Sequence, residues 1–181
     1  MTDSVSLNGV DLARIGELKA QFKENPDSSR VGFTANVRWL GGFRTESTMT
    51  NHSIVRGDEP TAYAGQDSGP SPEDMLLAAV GQCLAVGYAS TTAARGIALR
   101  SLEIEVRGKV NFMVAYGLVA GNPGFDAIEV TVRLDADGPD EQLRDLHQRV
   151  LAEAPIPNTV SRPVKLDVRL DIERKAEQAS Q

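Results

Sequence analysis

The chain has a single cysteine, Cys83, among its 181 residues. One thiol excludes an internal disulfide framework, and any thiol redox chemistry must pass through that one sulfur. Histidine is also scarce. His52 follows Asn51 in a turn-like stretch, His147 falls in a charged helical pattern as a surface residue, and neither has a cysteine nearby, so no metal-ligand spacing exists. No glycine-rich phosphate-cradling motif is present, so no nucleotide or other cofactor is expected. Basic charge is in deficit: 19 Lys and Arg face 25 Asp and Glu, a net charge of −6 that argues against a nucleic-acid partner. No apolar run reads as long enough for a membrane span. The opening MTDSVSLNG lacks a basic-then-apolar leader, which makes the cytoplasm the expected location. There is no internal repeat.

What is there suits one globular domain with some decoration. Leu12, Ile15, Leu18 and Phe22 recur at helical spacing within residues 8–24, with Asp11 as N-cap, so residues 1–30 read as an accessory helical element. From Val31 the period becomes two: Val31, Phe33, Ala35, Val37 and Trp39 predict a half-buried strand, Gly41-Gly42 a turn, and Phe43 to Thr50 a returning strand. A short third strand or loop covers Asn51 to Ala64, and the Gly- and Ser-rich residues 65–70 form a loop.

Ser71-Pro72-Glu73-Asp74 is a helix start, with a capping serine, proline at the first helical position and two acids at the positive end of the dipole. The helix that follows, 72–95, is apolar on every face, which predicts burial on every face. Gly81 and Gly87 inside it predict close approach of another element or a ligand. Leu102 to Tyr116 and Ile128 to Leu134 alternate as antiparallel strands, and Leu143, Leu146, Val150 and Leu151 mark a further amphipathic helix. Ala154 to Asn158 reads as a rigid loop, Val164 to Leu170 as a last strand, and 173–181 as a polar tail. The fold class is therefore α+β, helices packed to one side of antiparallel sheet, with the main domain over 31–172. A helix too apolar for a small monomer predicts a homodimer.

In such a helix a free cysteine is usually a small core residue, and an acid in the first turn, such as Glu73, is usually a capping residue. Arg38 and Arg44 are, taken singly, solvated strand residues. The run from Gly69 to Ala85, with Gly57-Asp58-Glu59-Pro60, Arg95-Gly96-Ile97 and Pro155 to Val164, resembles the OsmC/Ohr family of osmotically inducible and organic hydroperoxide resistance proteins. The resemblance implies an intertwined homodimer with sites at the subunit interface. It implies a reactive cysteine at Cys83, a glutamate at Glu73 and an arginine at Arg44, with Arg38 as competitor. A resolving cysteine would fall at Ala154, which cannot form a disulfide. The function implied is a one-cysteine thiol peroxidase of oxidative-stress defence, acting on a small apolar hydroperoxide and served by an external thiol. The alternative is a non-catalytic dimer binding a small apolar ligand. Glu73 and Cys83 are ten residues apart on one helix, about 15 Å along its axis. If they act together, Glu73 must come from the partner subunit.

Overall fold

The computed structural model describes residues 6–173. Of the expected polar tail, all but Glu173 lies outside the described residues. Helix α1, Leu12–Glu24, starts where the periodicity placed it, with the Asp11 side chain accepting from the Arg14 amide. Just before it, Asn8 ties the N-terminal segment to the body of the fold. Its side-chain amide donates to Thr92 Oγ1 and to the Ile97 carbonyl, and its oxygen accepts from the Leu99 amide, each at 2.9 Å.

Strands β1 (Ala35–Gly41), β2 (Arg44–Met49) and β3 (Ile54–Gly57) form an antiparallel sheet in that order. Gly41 and Gly42 turn the first hairpin with φ of +104° and +61°, a region glycine enters without a Cβ penalty. The first strand begins four residues later than the alternation predicted. Residues 31–34 precede the ladder, and Thr34 is held instead by its amide's hydrogen bond to Thr50 Oγ1.

Helix α2, Pro72–Ala94, is the axis of the molecule. Its start is a capping box: the Asp74 amide donates to Ser71 Oγ, and the Ser71 amide donates back to the Asp74 carboxylate. Gly96, with φ +69°, ends it. Strands β4 (Leu99–Val110) and β5 (Phe125–Ala136) pair antiparallel in a second sheet, with Ile104 opposite Val132 and Val106 opposite Val130. A short helix, α3 (Phe112–Ala115), follows β4, and helix α4 (Asp140–Glu153) then returns across α2. The core joins Val80, Leu84 and Tyr88 of α2 to Leu146 and Val150 of α4, with Ile104 and Val132 from the sheet packed against them.

Four expectations are corrected here. First, α2 is buried on one side only. Val80, Leu84, Tyr88 and Thr92 form the buried stripe at four-residue spacing, while Val86 and Leu76 are exposed, because β4 and α4 cover one face of a helix that is apolar on all. Second, α2 is long and apolar enough to cross a membrane by length and composition; its buried stripe packs here as the core of the fold. Third, Phe112 to Tyr116 continue no strand. Asn111 caps α3, which stacks Phe112 on Tyr116 one turn later with ring centres 5.7 Å apart. Fourth, Ala154 to Asn158 is no loop. Pro155–Val160 is a helix, α5, started by proline at its first position and held by the Asn158 amide on the carbonyls of Leu151 and Ala154.

The expected last strand, Val164 to Leu170, pairs with nothing among the described residues. Val164, Leu166, Val168 and Leu170 are 63–85% exposed, since a strand is defined by a neighbour's hydrogen bonds and the single chain supplies none. The glycines of α2 do mark close approaches. A Cβ on Gly87 would stand 3.0 Å from Val150 Cγ1, and one on Gly81 3.3 Å from Val106 Cγ2.

Candidate functional site

Cys83 lies beside the buried stripe of α2, half-buried, at the edge of the core. It opens on a cavity of about 590 Å³ between α2 and the junction of α4 with α5. The walls near the sulfur are mainly apolar: Val86, Gly87, Val150, Ala154, Pro155 and Ile156. Glu153 is the one charged residue lining it among the described residues. Helix α4 passes close over Gly87 on this wall, and any side chain there would crowd Val150.

Ala154 is shared by two helices, as the C-cap of α4 and the N-cap of α5. Its amide donates to the Val150 carbonyl and its own carbonyl accepts from Asn158. The residue is buried and held by both helices, on the cavity that Cys83 lines.

Glu73 occupies the first turn of α2 and lines a different cavity, of about 450 Å³, with Glu59, Tyr63, Lys109 and Phe112. Within one chain the helix thus delivers Glu73 and Cys83 to separate cavities, as their ten-residue spacing requires. Sequence reasoning passed over Glu59. Burial first, and then the charges of Glu73, Asp58 and Asp74, push its carboxyl above the ordinary range. Only the loop that folds residue 59 back onto the α2 start reveals this, and that loop is organised by Asp58. The Asp58 carboxylate is buried and accepts from the amides of Glu59, Gln66 and Ser68 and from Ser68 Oγ. Burial alone would raise its titration point, but these donors more than offset it and hold the group below its usual value.

The two arginines differ. Arg38 pairs with the Glu46 carboxylate at 2.6 Å, which Arg56 also approaches at 3.3 Å. The Arg38 hydrogen bond, then that of Arg56, pulls Glu46 below the ordinary carboxylate range. Arg44 makes no ion pair among the described residues; its guanidinium reaches the carbonyls of Gly41 and Leu40 at 3.4 and 3.5 Å. Neither arginine lines the Cys83 cavity of its own chain. His147 departs from its expected solvated role: its Nδ1 is hydrogen-bonded to the hydroxyl of buried Tyr88. Among the described residues no cluster of His, Cys, Asp or Glu could hold a metal ion.

A family profile described as OsmC-like protein matches residues 65–169, from the loop before α2 to the unpaired C-terminal segment. The chain belongs to the OsmC family. Solved structures share the fold of this OsmC-like chain at low identity. An OsmC-like protein from Mycoplasma pneumoniae is 16% identical with a TM-score of 0.58, over 73% of this chain and 87% of its own. An OsmC-like protein from Vibrio cholerae is 12% identical with a TM-score of 0.58, over 72% and 94%. An organic hydroperoxide resistance protein from Elizabethkingia anophelis is 17% identical with a TM-score of 0.53, over 72% and 90%. No curated protein matches the chain. The α+β architecture, with antiparallel sheets around a long helix, is the one these OsmC structures share.

Proposed function

We propose that this OsmC-like chain is a homodimeric, cytoplasmic, one-cysteine thiol peroxidase that reduces organic hydroperoxides through Cys83 in oxidative-stress defence. The observation that carries the reading is the apolar cavity lined by both Cys83 and Ala154, the latter standing where the resemblance places a resolving cysteine. A hydrocarbon-bearing peroxide suits such walls. The Cys83 thiolate attacks the peroxide oxygen farther from the organic group. An S–O bond forms, the O–O bond breaks, and the departing alkoxide takes a proton to leave as an alcohol. Cys83 becomes a sulfenic acid. With alanine at 154 no second sulfur in the chain can condense with it, so an external thiol completes the cycle.

A neighbouring cation favours the reactive thiolate. Arg44, with its guanidinium engaged only by carbonyls, is better suited than Arg38, which Glu46 already neutralises. In this reading Arg44 and Glu73 both reach the thiolate from the partner subunit, since neither lines the Cys83 cavity of its own chain. Two features favour a second copy: the exposed apolar face of α2 and the unpaired alternating segment Val164 to Leu170. Sedimentation at micromolar concentration is expected to show a dimer, and a well-folded monomer would refute the assembly.

One observation favours a second reading, a non-catalytic dimer that binds a small apolar ligand: no cation lines the Cys83 cavity within one chain, among the described residues. Hydroperoxide consumption separates the two. The wild type, given a panel of thiol reductants, is expected to consume alkyl hydroperoxide catalytically, and Cys83→Ser to be inert. Equal consumption by both proteins, or none by either, would remove the peroxidase reading.

A further inference from the structure

The accessory helix α1 lies outside the region matched by the family profile, yet it is fastened to the body of the fold. The Asn8 clamp grips both the end of α2 and the start of β4, which fixes where α1 runs. From Leu12 to Lys19, α1 faces the C-terminal turns of α2 and α4 across a groove of about 630 Å³. This groove adjoins the Cys83 cavity, for Ser90, Thr91 and Glu153 line both. Its other charged walls are basic: Lys19 from α1, Arg95 at the end of α2 and Arg149 from α4. Arg95 pairs with Asp145 at 2.7 Å and Arg149 with Glu153 at 3.0 Å. Lys19 has no ion pair among the described residues and is the surplus cation. A locally basic groove on a chain of net charge −6, leading to its only thiol, is suited to an anion that must reach that sulfur.

We propose that the α1 groove is the docking site for the external reductant, a small thiol bearing a carboxylate. The carboxylate lies against Lys19, and the thiol passes over Ser90 and Thr91 toward Cys83. The proposal rests on the peroxidase reading and names the second substrate of that site. The sulfenic acid of Cys83 condenses with the docked thiol, forming an S–S bond and releasing water. A second molecule of the thiol attacks the mixed disulfide, a symmetrical disulfide leaves, and Cys83 returns to the thiol. Two thiols thus supply the two electrons and two protons that the sulfenic acid consumes.

The test needs no peroxide, so it can fail or succeed independently of the peroxidase reading. Reduced protein is mixed with dithiobis(nitrobenzoate), a dianionic disulfide, and separately with the neutral dipyridyl disulfide. The quantity read is the ratio of the two rates at Cys83, at low and at high salt. Lys19→Glu is expected to lower the ratio roughly tenfold at low salt, with most of the loss absent at high salt. Arg30→Glu, the same charge change on an exposed residue outside the groove, should leave the ratio within about twofold, since screening confines surface charge effects to their neighbourhood. Asn8→Ala, which releases the clamp without altering charge, should lower the ratio in the same direction as Lys19→Glu. A ratio unmoved by Lys19→Glu, an equal fall in Arg30→Glu, or a folded protein whose thiol reacts with neither disulfide would overturn the groove. Loss of hydroperoxide oxidation with the anion preference intact would instead overturn the peroxidase reading and leave the groove standing.

Discussion

Replacing Ala154 with cysteine puts a second thiol into the cavity that Cys83 lines. The backbone at 154 is already held by both the end of α4 and the start of α5, so the new sulfur enters at a fixed position, and the cavity there has room for it. Disulfide formation needs Cα atoms within about 4.4–6.8 Å. One equivalent of alkyl hydroperoxide should oxidise Cys83 to the sulfenic acid, and the introduced thiol should then condense with it, releasing water. The bridge would close a loop of about 70 residues, for which the chain-entropy relation gives about 4 kcal/mol of stabilisation over the reduced variant. In a protein of this size that corresponds to a rise in Tm of about 10 °C. Two assays follow: alkylation with mass spectrometry to count thiols after one equivalent of peroxide, and thermal unfolding of the oxidised and reduced variant. The Ala154→Cys protein should also gain turnover with dithiols that act on a protein disulfide, which the wild type should use poorly. Two free thiols after peroxide treatment would refute the placement of residue 154 beside the sulfur, and a bridge that leaves Tm unchanged would refute the chain-entropy account of its stabilisation.

Leu84 of α2 is almost fully enclosed in the core shared with the β4–β5 sheet and α4, so Leu84→Ala should cost about 3 kcal/mol in urea unfolding; a loss under about 1 kcal/mol would mean that the core lies elsewhere. Arg44→Ala should slow alkylation of Cys83 near neutral pH by about tenfold, while Arg38→Ala should change it little because Arg38 is already paired with Glu46; the opposite order would exchange their roles. Asp58 titrates lower in the folded protein than in the unfolded chain. Its contribution to stability is therefore complete above about pH 4 and is lost as pH falls through the folded value. Asp58→Asn should accordingly lower the urea midpoint near neutrality and flatten its fall on acidification, and an unchanged pH profile would show that the buried carboxylate does not organise the loop.

Much of the fold was legible in the residues because the signals were local. Ser71, Pro72 and Asp74 specify the start of α2 through hydrogen bonds within one turn, and Gly96 specifies its end through a φ that glycine tolerates. Asp11 likewise caps α1 through its own helix. The alternation of β4 and β5 announced their pairing, since a sheet covered on one face writes its period into the chain. The helix run around Cys83, with Glu73 ten residues before it, was enough to place the chain in its family and to separate the two residues along the helix axis.

Tertiary structure decided the rest, wherever a residue's role depends on what another element brings to it. Phe112 and Tyr116 alternate like strand residues, but Asn111 caps them into a helical turn where they stack. His147 reads as a surface residue until α4 lays it against the hydroxyl of Tyr88, fifty-nine positions away. The family resemblance favoured Arg44 but left Arg38 as its competitor; the cross-strand register sets Arg38 opposite Glu46 and leaves Arg44 at the turn. The apolar pattern of α2 could state that all its faces avoid water, but not that the chain itself covers only one of them. Hydrophobicity is a property each residue carries alone, whereas burial, pairing and the neighbours of a charge exist only between elements, and these are what the folded chain supplies.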